Sequence, residues 1–355
     1  MSCNTKIPHI YKPLLPIAWL YEAGVWMRNK LFDRNILPVE EFSVPIISVG
    51  NLAVGGTGKT PFIEYLIELL SPRCKVAVLS RGYRRKSRGY VMATPHSTPG
   101  EIGDEPYQIY TKYPHVAVAV DANRRRGIKR LLQEVSPQVI LLDDAHQHRY
   151  VRPTLSIVLS DYNRPPYADY MLPAGRLREP LSGLKRAHVV VITKCDHNLN
   201  TQELHEQARL LHFDAKSLYA AHIEYGTPYN ILTKECCDIT TITAQHNIII
   251  LTGIANPTPM QEYISHYTRR ATLMSFPDHH NFTPQEVAHL AQAAADDNTI
   301  VITTEKDAAR LSHMQLPAAI ARRCYILPMR TVVQAATHHT PIEELILQSA
   351  GITQH

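Results

Sequence analysis

Lys59 and Thr60 are the residues with the clearest chemical potential. They close the stretch Ile46–Thr60, where a β-branched run leads into a glycine-rich loop ending in Gly-Lys-Thr. Loop glycines let backbone N–H groups turn inward around phosphate oxygens. Lys59 brings a point charge to the β/γ-phosphates, and the Thr60 hydroxyl can ligate Mg²⁺. Phe62, Ile63, Leu66, Ile67, Leu69 and Leu70 are apolar at helical spacing and predict a helix ending at Ser71-Pro72. Its N-terminus adds partial positive charge where the phosphates would sit. Strand, glycine loop and helix together form the context a phosphate-binding loop needs. Gly55, Gly56, Thr57, Gly58, Lys59 and Thr60 are the expected contacts. The pattern G-x-x-x-x-G-K-[ST] lacks its first glycine, since Ala53 stands there.

Carboxylates come next. Val139–Leu142 runs into Asp143-Asp144. Four apolar residues ending in aspartate predict a buried strand that sets a carboxylate beside the phosphate loop, able to hold Mg²⁺ or its water shell. Either aspartate fits that role. Gly103-Asp104-Glu105-Pro106 opens a helical segment, where Asp104 also reads as an N-cap. The basic loop Ser80–Lys86 follows a predicted strand, a place where α/β sheets line their ligand crevice; it also reads as a solvated charge cluster. His146-Gln147-His148 could chelate a transition metal, but no third soft ligand follows at useful spacing. Thr193-Lys194-Cys195-Asp196 approximates the guanine-reading N-K-x-D of GTPases. Two further polar clusters are Asp278-His279-His280, which could tune an acid/base group, and Thr303–Arg310.

These residues need elements to hold them. Short apolar runs at Val76–Leu79, Val116–Val120, Leu155–Leu159 and Val189–Ile192 predict further strands of a buried parallel sheet. The pattern loosens over 222–245, where Tyr229–Leu232 and Ile239–Ile242 suggest a pair of extended stretches. A second α/β unit begins at Ile248, with strands near Thr272–Ser275, Thr299–Thr303 and Cys324–Leu327. Near the start, Leu15, Trp19, Ala23 and Trp26 recur at helical spacing, flanked by Lys12, Arg28, Lys30 and Arg34. Tryptophan beside lysine and arginine suits a helix lying in a bilayer interface. It equally suits a helix packed on a core.

At 355 residues the chain is comfortable for two domains, and 45% hydrophobic content supplies a sizeable core. The formal charge of +5 suits a phosphorylated or membrane-bound partner. No zinc-finger spacing or RNA-binding aromatic motif argues for nucleic acid. Six scattered cysteines without CxxC suit a reducing, cytoplasmic setting. No apolar run reaches transmembrane length, and the early apolar stretch has no small-residue cleavage site.

In order, SVGNLAVGGTGKTP, LSRGY, GDEP, LLDDAHQHR, LPAGRLREP, GIANP, FPDHHNF and TTEKDAAR resemble the tetraacyldisaccharide 4′-kinases, the lipid A kinases of Gram-negative bacteria. The resemblance runs from the N-terminal helix to about Arg310. Family phosphate loops commonly lack the first glycine too. One departure is Asp143-Asp144-Ala145-His146, where the family usually has Asp-Asp-Gly. The resemblance implies an α/β chain with a P-loop NTPase-like, three-layer N-terminal domain (41–222) behind a membrane-associated helix (1–40). It further implies a two-stranded connector (223–245), a smaller α/β domain (246–332) and a C-terminal helix (333–355). It implies ATP and Mg²⁺, with γ-phosphate transfer to the 4′-hydroxyl of a tetraacyl disaccharide 1-phosphate. Glu179 would lie near nucleotide and metal, Asp104 would be the catalytic base, and His279, or its neighbour His280, would assist it. Arg81, Arg84 and Arg124 are candidates for the substrate 1-phosphate. Attachment would be monotopic, at the cytoplasmic face of the inner membrane, with no obligate protein partner. The competing reading is a metal-handling GTPase using the same loop, Thr193–Asp196 and the histidines.

Overall fold

The computed structural model describes residues 10–195, 199–254, 256–277, 280, 282–311, 314, 316–334 and 340–352. Its strands, in chain order, are β1 (Ile46–Asn51), β2 (Val76–Ser80), β3 (Val91–Met92), β4 (Ala117–Val120), β5 (Val139–Asp143), β6 (Leu155–Asp161) and β7 (Val189–Thr193). After these come β8 (Leu218–Tyr225), β9 (Tyr229–Asn230), β10 (Asn247–Thr252), β11 (Ala271–Ser275), β12 (Thr299–Thr304), β13 (Cys324–Leu327) and β14 (Met329–Val333). Two compact units result. One comprises 1–96, 113–223 and 331–355; the other comprises 97–112 and 224–330.

The first unit is built on a sheet of order β14-β8-β7-β6-β1-β5-β2-β4-β3. From β3 to β8 all neighbours run parallel except β3, which is antiparallel to β4. β1, β2, β5, β6 and β7 are buried along their whole length, which is why they read as unbroken apolar runs rather than alternating ones. β1 lies between β5 and β6. The chain leaves β1 toward β2, returns through β5, then crosses to β6. The connections therefore diverge at the C-terminal end of β1, the place where open α/β sheets bind ligands.

The second unit has a five-stranded sheet, β11-β10-β12-β13-β9, parallel except for β9. Its core packs Ile248, Ile250, Ile300 and Ile302 with helix residues Met260 and Ile264. Ser97–Lys112 belongs to this unit although its sequence neighbours on both sides belong to the first. The chain passes between units inside β8 and inside β14.

The expected extended stretch Ile239–Ile242 is instead the start of a helix, Ile239–Gln245. Its β-branched residues favour strand, but the Asp238 side chain caps the Thr240 N–H, and Ile239 and Ile242, three apart, are both buried. Tyr229–Asn230 pairs with β13 in the second unit's sheet.

The N-terminal helix spans Leu15–Asp33. Ala18, Val25 and Phe32, seven apart, are its buried residues. Trp19 and Trp26 are 64% and 60% exposed, and Ile17, Leu20 and Met27 are exposed with them. Among the described residues, no helix is long and apolar enough to cross a membrane.

Candidate active site

In the first unit, the loop after β1 closes onto the helix Lys59–Leu70. Gly58 has φ +84°, a conformation costly for any residue with a Cβ. The loop's carbonyls are held outward by the end of β7. Thr193 Oγ1 donates to the Thr57 carbonyl at 2.8 Å, and Lys194 Nζ donates to that of Gly56 while pairing with Asp161 at 2.7 Å. The Thr57 N–H closes the turn on the Gly55 carbonyl at 3.0 Å; with the Gly56 and Thr57 carbonyls engaged outside, the loop's remaining N–H groups can turn toward an anion. The missing first glycine has a local explanation. Ala53 forms a β-bridge with Leu177 and is not among the positive-φ residues, so its site has no need of glycine.

The carboxylates sit at the end of β5, beside β1. Asp143 is buried, and its Oδ2 accepts from Ser80 Oγ at 2.9 Å. Asp144 turns at φ +49°, and the Arg178 fork takes both its oxygens at 2.9 and 2.7 Å. Lys59 Nζ lies 3.5 Å from Asp144 Oδ1. Burial alone would raise the Asp144 pKa, but the Arg178 hydrogen bonds and the Lys59 charge hold it well below the carboxylate range. Asn51 supports both sides: its amide donates to Thr57 Oγ1 at 2.8 Å, and its oxygen accepts from Arg178. Gly50 permits the closeness of β1 to the Asp143–His146 loop, since a Cβ there would lie 2.5 Å from His146 Cβ.

Several of the expected residues have partners of their own. The resemblance puts Glu179 at the nucleotide, yet its fully buried carboxylate is engaged by Arg28 at 3.1 Å, Asn29 at 3.4 Å and Arg186. Arg28 and Asn29 lie on the N-terminal helix, so Glu179 anchors that helix. Arg124, expected at a substrate phosphate, is 2% exposed and donates to the carbonyls of Asp121 (2.6 Å) and Asp143 (3.0 Å). It fixes the ends of β4 and β5 instead. Burial pulls its pKa down to about 10. Arg81 and Arg84 do line a cavity of about 420 Å³ with Tyr83, Arg85 and Arg88. His146 and His148 are each held down to about 4, chiefly by burial and then by arginine charge, Arg186 for His146 and Arg124 for His148. Among the described residues, no group of three His, Cys, Asp or Glu could hold a metal ion. Asp196 lies outside the described residues, and Lys194 serves the phosphate loop.

The second unit carries its own constellation. Asp104 begins the helix Asp104–Lys112, and its Oδ2 accepts from Arg310 Nη2 at 2.9 Å. Arg310 Nη1 also donates to Asp307 Oδ1 and the Gly253 carbonyl, both at 3.1 Å. A Cβ at Gly253 would lie 3.4 Å from His280 Cβ, so His280 reaches the same place. The His280 ring stacks on Phe276 and pairs with Glu286 at 2.9 Å. Asp278 and His279 lie outside the described residues. Reading by motif missed Arg178, Ser80, Asn51 and Arg310; only the regular three-residue spacing of the threonine, aspartate and arginine of TTEKDAAR signalled the last.

A family model described as tetraacyldisaccharide-1-P 4′-kinase matches residues 10–347. The chain belongs to this family. It is 46% identical to a tetraacyldisaccharide 4′-kinase of Bacteroides thetaiotaomicron, with 86% of this chain and 84% of the relative covered. Identity to the Parabacteroides distasonis enzyme is 43%, with 95% and 94% covered. Among solved structures, LpxK from Aquifex aeolicus in complex with ATP is similar, at 29% identity and a TM-score of 0.74, covering 95% of this chain and 98% of that one. The P-loop NTPase-like α/β fold is thus shared with a family member that binds ATP.

Proposed function

We propose that this chain transfers the γ-phosphate of ATP to the 4′-hydroxyl of a tetraacyl disaccharide 1-phosphate, forming lipid IVA. The observation that carries the reading is Lys59-Thr60, opening the helix after the β1 loop, with Lys59 Nζ 3.5 Å from Asp144 at the end of the parallel neighbour β5, in a chain of this family. In the transfer, the sugar oxygen bonds to the γ-phosphorus and the bond to the ADP oxygen breaks. The sugar proton goes to Asp104, with His279, or its neighbour His280, assisting. Gly55, Gly56, Thr57, Gly58 and Lys59 hold the phosphates.

The donor set suits Mg²⁺, a hard cation that takes oxygen ligands and keeps several waters. Thr60 and Asp143 would hold it, with Asp144 nearby, and the ion would neutralise charge on the phosphates. Asp143 is favoured over Asp144 because Arg178 already takes both Asp144 oxygens. Arg81 and Arg84 suit the 1-phosphate. The exposed Trp19, Leu20, Trp26 and Met27, with Lys30 Nζ 5.9 Å over the Trp26 ring, suit monotopic attachment to the cytoplasmic face of the inner membrane.

The test is ³²P transfer from ATP to purified tetraacyl disaccharide 1-phosphate in detergent. Lys59→Ala should lower turnover about 10²–10³-fold and Asp104→Ala about 10²–10⁴-fold. Folded Asp104→Ala protein turning over at the wild-type rate would return Asp104 to a helix-opening role.

A further inference from the structure

We propose that Arg310 is the positioning residue of Asp104, and that Thr304, Asp307 and Arg310 of the TTEKDAAR segment exist to hold it. The inference rests on the reading of Asp104 as the proton acceptor and adds the group that aims it.

Thr304, Asp307 and Arg310 recur every three residues from the end of β12 through the helix Glu305–Leu311, so they share one side. Thr304 Oγ1 donates to Asp307 Oδ2 at 2.7 Å and accepts from the Asp307 N–H at 3.1 Å. The Gly253 N–H donates to the same Oδ2 at 3.0 Å. Asp307 is therefore fully buried and held from two segments. Its other oxygen and the Gly253 carbonyl fix Arg310 Nη1, which leaves Nη2 directed at Asp104. Burial is graded along this chain of contacts. The side chain of Asp307 is 0% exposed, that of Arg310 4% and that of Asp104 21%. The anchor is buried, and the carboxylate it presents reaches solvent.

Such a relay matters because a general base must stand within hydrogen-bond reach of its proton, and a misplacement of about 1 Å can cost about 10²-fold. Asp104 lies in the segment 97–112, whose chain neighbours belong to the other unit. Arg310 ties that segment to the helix after β12. Lys112 Nζ makes a second tie at the far end of the same helix, 2.9 Å from Glu305.

The experiment is a double-mutant cycle in the ³²P-transfer assay with Asp104→Ala, Arg310→Gln and the pair, alongside thermal unfolding. Arg310→Gln should lower kcat about 10–100-fold and leave KM for ATP unchanged. In the Asp104→Ala background the same substitution should lower kcat no further. Arg310→Lys, which keeps the charge but not the fork, should recover part of the loss. An equal fall in both backgrounds makes Arg310 a structural residue and overturns the proposal alone, as does a folded Arg310→Gln protein with wild-type kcat. Near-normal turnover of Asp104→Ala overturns the base reading beneath it. Should Arg310→Gln not fold, Asp307→Asn carries the cycle under the same criteria.

Discussion

Two arginine–carboxylate clamps, one in each unit, carry opposite charge surpluses. At the end of β5, Arg178 and Lys59 both converge on Asp144. In the second unit, Asp104 and Asp307 both converge on Arg310. Two cations on one carboxylate leave net positive potential, which receives a polyphosphate. Asp104 and Asp307 put two carboxylates on one cation, an arrangement in keeping with the proton-accepting role proposed for Asp104. The pairing geometry is nearly the same, and the third member decides what each clamp can do.

The neighbouring histidines follow the same division, and the largest expected effect concerns them. His146 is buried beside Arg186, and its Nε2 lies 3.2 Å from the Gly183 carbonyl and 3.3 Å from Arg186 Nη2. Burial and the Arg186 charge hold its pKa down to about 4, outweighing Glu179 at 3.9 Å. His280 instead faces Glu286, whose own pKa its hydrogen bond lowers. The unfolded chain takes up the His146 proton near pH 6.5, the folded chain only near pH 4. Falling pH therefore favours unfolding across that window, and the loss levels off below it. The shift corresponds to about 3 kcal/mol. Urea unfolding between pH 7 and 4 should show that loss in wild type, with a further one from His148, held down to the same value, and a shallower slope in His146→Gln. Parallel slopes would remove His146 from the division.

The arginines give the next effect. Arg178→Gln removes a charged fork, at a cost of about 1.5–3 kcal/mol. Asp144 would then lean on Lys59 and compete with the incoming phosphates, so the loss should appear as a raised KM for ATP. Arg310→Gln should appear in kcat. If both substitutions move the same kinetic parameter, the two clamps do one job and the contrast fails.

Legibility in the sequence divides along similar lines. The phosphate loop and the Asp143 strand could be read because each is a contiguous segment whose local geometry is its function. Lys59 and Thr60 need only the glycines before them and the helix after them. The partners of Glu179 could not be read, because Arg28 and Asn29 lie 151 and 150 positions away on the N-terminal helix. Arg310 meets Asp104 across 206 positions, and no local pattern encodes that meeting. Arg124 is a candidate for the substrate 1-phosphate by sequence, and folding buries it against two strand-end carbonyls. Ile239–Ile242 shows the reverse failure: a local strand preference loses to a side-chain cap and a buried i, i+3 pair.

The smallest effect probes the backbone under the first clamp. Asp104 opens a regular helix, whereas Asp144 makes a left-handed turn at φ +49°. The family usually places glycine one residue later, where this chain has Ala145. Ala145 is not among the positive-φ residues; it is 7% exposed, packs in the core with Ala145 N–H donating to the Val49 carbonyl at 3.2 Å, and leaves the strained turn to Asp144. Glycine at 145 would thus relieve no strain while enlarging the unfolded ensemble. Ala145→Gly should cost about 0.4–1 kcal/mol by chemical unfolding and leave KM for ATP as it is. A stabilised variant would mean that position 145 shares the left-handed turn. A raised KM would mean that the Asp144 clamp depends on the Ala145 Cβ as well as on Arg178.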